Sequence, residues 1–96
     1  MKSQIDALRQ LTHELLYLGM DGEPIYADRF RQLNSDVYNQ AEALYQKKAR
    51  NDEEEATLCI TLLKAYSATI YDRGDKGGKV QILLDRSWEV RIKYLI

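Results

Sequence analysis

The chain has 96 residues, enough for one domain with one modest core, and 45% hydrophobic with 30% charged side chains is not a disordered composition. A formal net charge of −1 excludes a general electrostatic pull toward nucleic acid or anionic membrane. The single cysteine, Cys59, excludes a disulfide framework and points to a reducing, cytoplasmic setting.

The start, Met1-Lys2-Ser3-Gln4-Ile5-Asp6, lacks the apolar stretch of a signal peptide. No apolar run approaches the roughly 18–20 residues that span a bilayer. A first helix is predicted from about Gln4 to Leu18. Ser3 is its expected cap, and Asp6 stands where a capping box places its acid. Ile5, Leu8, Leu11, Thr12, Leu15 and Leu18 form one stripe at helical spacing. Gly19 is expected to close the helix in the left-handed conformation. Gly19-Met20-Asp21-Gly22-Glu23-Pro24-Ile25-Tyr26 then reads as a loop. Ile25 and Tyr26 are apolar enough to be expected against the core.

A second helix runs from Ala27 or Asp28 to about Ala49, with Phe30, Leu33, Val37, Ala41 and Leu44 on one side. Lys47, Lys48 and Arg50 are expected to complement its negative end. Asn51 then caps a third helix, about Asp52 to Tyr71, whose first turn is acidic. The short break makes the second and third helices antiparallel neighbours. The third is apolar around most of its circumference and is expected to be central. Ala56, Cys59, Ile60, Leu63, Tyr66 and Ile70 form one face, widened by Leu58, Leu62 and Ala65. Thr57, Thr61, Lys64 and Ala68 mark an outer strip. Arg73 to Gly78 is a glycine-rich loop. A fourth helix follows from about Lys79 to the end, with Val80, Leu83, Leu84, Ser87 and Trp88 facing inward and Arg91 interrupting that stripe. Its last turns are expected to fray or to need surface from elsewhere. The predicted fold is all-α: one domain over residues 1–96, four main helices in antiparallel hairpins, arranged as a bundle or a short solenoid-like array.

No catalytic, cofactor or metal site emerges. Gly74 to Val80 has one residue too few for a phosphate loop and ends in valine where Ser or Thr would hold magnesium. Cys59 lies on the most buried helix and His13 on a polar face, so they make no thiol–imidazole pair; one of each builds no zinc site. Glu53, Glu54 and Glu55 splay around the helix and cannot converge on one ion. Lys79, Arg86, Arg91 and Lys93 form the most basic stretch, but Asp85 and Glu89 dilute it, and direct nucleic-acid contact is disfavoured. Of seven tyrosines, Tyr66 is core by spacing, and Tyr38, Tyr45, Tyr71 and Tyr94 flank stripes. Tyr17 leaves two readings open: packing under its own loop, or an exposed contact.

Leu15-Leu16-Tyr17-Leu18-Gly19-Met20-Asp21-Gly22-Glu23-Pro24-Ile25-Tyr26, with Asp28-Arg29-Phe30 and Leu33-Asn34, resembles the UpxZ family of transcription anti-terminator antagonists. Glu53-Glu54-Glu55-Ala56, Leu58-Cys59, Tyr66, Ala68-Thr69-Ile70-Tyr71-Asp72, Asp85-Arg86 and Trp88-Glu89-Val90 continue the likeness, which fades after Val90. Family members tend to be longer, so this chain is expected to be short at its C-terminus. The resemblance implies a regulator encoded in capsular polysaccharide loci of gut bacteria. It implies one partner, a NusG-like anti-terminator kept from polymerase or leader RNA, and neither enzyme activity nor cofactor. From exposure and loop position, the expected contact surface is Tyr17, Met20, Asp21, Glu23 and Tyr26. A homodimeric scaffold, or a weak nucleic-acid binder using the fourth helix, are the alternatives.

Overall fold

The structure, a computed structural model, describes residues 1–69 and 76–95, apart from the side chains of Lys76, Tyr94 and Leu95. Four helices follow one another: α1 (Lys2–Met20), α2 (Asp28–Tyr45), α3 (Asp52–Ala68) and α4 (Lys76–Leu95). The expected roles of Ile70, Tyr71 and Tyr94, and the loop residues Arg73 to Asp75, lie outside the described residues; Lys76 to Gly78, expected in that loop, are instead the first turn of α4.

The α1 stripe is buried as its spacing requires: Ile5, Leu8, Thr12, Leu15 and Leu18. Thr12 is tolerated in the core because its hydroxyl donates to the Leu8 carbonyl at 2.8 Å. Ser3 does not cap this helix. Winding begins two residues earlier than expected, at Lys2, with Met1 in the cap position and its carbonyl accepting the Ile5 amide.

In α2, Phe30, Val37, Ala41 and Leu44 are buried. The helix ends at Tyr45 rather than Ala49, so Lys47, Lys48 and Arg50 lie in a six-residue connection, 46–51, and not on the last turn. The apolar stripe stops at Leu44, and past it the chain is claimed by the next cap. Asn51 Oδ1 accepts the Glu54 amide at 2.8 Å, while Glu54 Oε1 accepts the Arg50 amide at 3.0 Å. This reciprocal pair starts α3 abruptly.

Central α3 buries Leu58, Cys59, Thr61, Leu62, Ala65 and Tyr66. Two positions invert the expected phase: Ile60 is half exposed, and Thr61 is buried, its hydroxyl donating to the Thr57 carbonyl. A helix apolar all round carries little phase of its own, so its neighbours decide which way it turns. Helix α1 packs on α2 and α3, α2 on α3, and α4 along α3, reaching α2 through the Lys79 side chain.

Helix α4 buries Leu83 and Val90, two turns apart, with Val80 half-buried. Leu84 and Trp88, expected inward, are exposed. The phase is set by cross-helix ion pairs: Lys79 to Glu42, Arg86 to Glu55 at 2.6 Å, and Lys93 to Asp52 at 3.3 Å. Arg91 therefore stands beside the inward stripe, its guanidinium 5.8 Å from the Trp88 ring, and winding continues to Leu95. The result is a three-helix unit with a fourth helix laid on its central member. Its radius of gyration is 14.0 Å, above the ~12.5 Å of a compact chain this long.

Candidate functional site

The expected contact residues gather at one end of the molecule, where α1 gives way to α2. The apolar stripe ends at Leu18, but the helix continues through Gly19 and Met20. Gly22, not Gly19, takes the left-handed conformation, at φ +79°. The Gly22 amide donates to the Gly19 carbonyl at 3.2 Å and the Glu23 amide to the Leu18 carbonyl at 3.0 Å. That paired closure satisfies the last carbonyls of α1 and fixes the exit direction of the chain. A turn follows, closed by the Ala27 amide on the Pro24 carbonyl at 3.0 Å.

Those turns throw side chains outward. Met20 is 80% exposed and Tyr26 77% exposed, with Ile25 also exposed. Ile25 and Tyr26 do not tuck against the core, because the Pro24–Ala27 turn puts them at its tip. Asp21 is exposed and Glu23 half-buried. Tyr17, one turn before Met20, is exposed; its ring leans back on His13, with centroids 5.2 Å apart, rather than under the loop. Ile25 joins the cluster although its apolar character pointed the other way. Its place directly after Pro24 in a predicted turn was the available signal.

Two grooves of opposite charge flank α1, and Tyr17 lines the first of them. On the α2 side, a shallow groove of about 490 Å³ is edged by the carboxylates of Glu14, Asp21 and Asp36 with one cation, Arg29. On the α3 side, a groove of about 590 Å³ has Leu16 and Ile60 in it, with Arg9, His13 and Lys64 at its rim and no carboxylate lining it.

Elsewhere, a polar knot ties three helices. Glu42 of α2 accepts from the Tyr66 hydroxyl of α3 at 2.7 Å and from Lys79 Nζ of α4 at 2.6 Å. Burial alone would raise the Glu42 carboxyl; the bonds from Lys79 and Tyr66 outweigh it and hold it below its ordinary range. Burial and the neighbouring Glu42 push the Tyr66 hydroxyl well up. Tyr38 and Tyr45 meet the Tyr66 ring edge-on, at 6.1 and 6.5 Å. Among the described side chains of α4, Lys79 and Arg86 are half-buried on carboxylates, Lys93 pairs with Asp52 at the surface and Arg91 lies over the exposed Trp88 ring. They offer no open row for phosphates.

Cys59 is wholly buried, and burial pushes its thiol up to about 11, so it is a protonated packing group at neutral pH. Among the described residues no cluster of His, Cys, Asp and Glu could hold a metal ion, and no helix is long and apolar enough to cross a membrane.

Residues 5–94 match the UpxZ family of transcription anti-terminator antagonists. The fold is similar to the crystal structure of a transcription anti-terminator antagonist UpxZ from Bacteroides uniformis ATCC 8492, with a TM-score of 0.81 and 38% identity. That likeness covers 95% of this chain and 55% of the other, so the chain spans about half the length of that relative. No curated protein matches the chain.

Proposed function

Because the chain belongs to the UpxZ family of transcription anti-terminator antagonists, we propose that it blocks an anti-termination factor by direct protein contact through the end of α1. The carrying observation is the exposed group of Tyr17 and Met20 on the last turns of α1 with Ile25 and Tyr26 on the following loop, which is locked by its own backbone bonds. Exposed aromatics supply contact area at low entropic cost, and methionine adds an adaptable apolar surface. A closed turn adds preorganisation, since less ordering remains for the complex to impose.

The acidic groove beside this cluster completes the reading. Glu14, Asp21 and Asp36 favour a partner with basic side chains next to an apolar patch. A NusG-like factor from a capsular polysaccharide locus is the proposed partner. Held on this surface, it is withheld from polymerase and leader RNA, so inhibition follows mass action and needs one antagonist per factor bound.

Co-purification of the chain with candidate anti-terminators, with the bound protein identified by mass, tests the reading. Tyr17→Ala with Tyr26→Ala is expected to weaken capture by at least about 30-fold, the scale of a hot-spot loss near 2 kcal/mol. The circular dichroism of the double variant is expected to stay that of the parent. Unchanged capture by that variant, or by Glu23→Ala with Asp21→Ala, would remove the end of α1 as the contact surface.

A further inference from the structure

A second surface lies on the other flank of α1. Glu55 of α3 pairs with Arg86 of α4, and Lys79 with Glu42 of α2, so that flank of α4 is turned toward α2. Leu84 and Trp88 stand two residues either side of Arg86, roughly 160° around the helix. Ile60 stands roughly 140° around α3 from Glu55, on the far side of the α3–α4 contact. Both therefore point to the face away from α2, which α1 borders with Leu16. The pairs Glu55–Arg86 and Asp52–Lys93 put Ile60 at the level of Leu83 and Leu84. Leu16 and Ile60 line one groove and Leu84 stands beside Ile60 on α4, each about half exposed, with Trp88 one turn further along α4.

We propose that this face docks one acidic amphipathic helix of a partner protein. The groove between α1 and α3 runs from Arg9 to Leu16 and from Thr57 to Lys64, about 11 Å, which seats apolar anchors at i, i+4 and i+7. Arg9 and Lys64 rim that groove, Arg91 stands beside Trp88, and no carboxylate lines the groove. Among the described residues Arg9 pairs with Asp6, at 3.6 Å with both side chains more than half exposed, a pair too weak to withdraw its charge from a ligand. In a chain of net charge −1, this rim selects carboxylates flanking an apolar stripe. A second copy of the same face would set cation against cation. The surface is independent of the end of α1, and either can fail without the other.

Trp88 is the only tryptophan and reports directly on this face. The probe is a synthetic helix with leucines at i, i+4 and i+7 flanked by glutamates, set against its lysine-flanked counterpart. The glutamate helix is expected to shift Trp88 emission to shorter wavelength and to bind at least tenfold more tightly than the lysine helix. Ile60→Ser should abolish the shift while circular dichroism is unchanged, and Lys64→Glu with Arg9→Glu should reverse the preference. Equal or absent responses to the two helices would overturn the proposal. So would emission already at the buried wavelength without peptide, the mark of a face covered by its own chain. A dimer by light scattering that Ile60→Ser dissociates would assign the face to a second copy instead.

Discussion

Glu42 joins three helices through one carboxylate, and its protonation state decides whether that junction holds. It receives the Tyr66 hydroxyl and Lys79, and its carboxyl lies below its ordinary value of 4.5. A carboxyl depressed by folding stabilises the native state above its unfolded pKa and loses that stabilisation as pH falls through the folded one. Thermal stability is therefore expected to be level near neutrality and to decline once pH drops below about 4.5. Glu42→Gln should cost about 1–3 kcal/mol at pH 7, by leaving Lys79 without its counter-charge. It should also flatten the acid decline, and melting curves between pH 7 and pH 3 measure both. An equally steep decline in the variant would assign the acid sensitivity elsewhere. The pair was not legible in the chain, because Glu42 and Lys79 are 37 residues apart and periodicity speaks only for contacts within a helix. Tyr66, at stripe spacing, was legible as core.

Two glycines three residues apart separate what a helix stripe reveals from what it hides. Gly19 is inside α1 with nothing within 4 Å of an added Cβ, while Gly22 holds φ +79°. Gly19→Ala should stabilise the protein by about 0.5–1 kcal/mol, and Gly22→Ala should destabilise it by about 1–2 kcal/mol. Chemical denaturation of the two variants checks the opposite signs; the same sign for both would contradict the closure described for α1. The apolar repeat ends at Leu18 because the last turn protrudes beyond the core, so Gly19 looked like the stop. The same cause moved the exposed contacts: the loop composition located the end of α1, but the Pro24 turn put Ile25 outside. In α4 the apolar residues fit two phases, and the carboxylates of Glu42 on α2 and of Glu55 and Asp52 on α3 select the one that exposes Trp88. The acid-rich start of α3, by contrast, was plain from Asn51 and the residues after it.

At the scale of the molecule, α1, α2 and α3 each pack on the other two, whereas α4 packs its length along α3 and reaches α2 only through the Lys79 side chain. An element packed along one neighbour opens at lower free energy than those packed on two. Native-state hydrogen exchange is expected to show α4 amides near Leu83 exchanging faster than those near Leu8 and Leu62. Equal protection would mean that α4 is integral to one cooperative unit. This frame keeps the end of α1 in place, presenting Tyr17, Met20 and Tyr26 on a fixed base. The most direct test of that account is a transcription assay with purified polymerase, a NusG-like anti-terminator and a template carrying a terminator. Adding the chain should restore termination in proportion to its ratio to the anti-terminator, levelling off near one to one, and Tyr17→Ala with Tyr26→Ala should abolish the effect. Restoration by amounts far below equimolar, or no restoration with a factor that the chain captures, would contradict it.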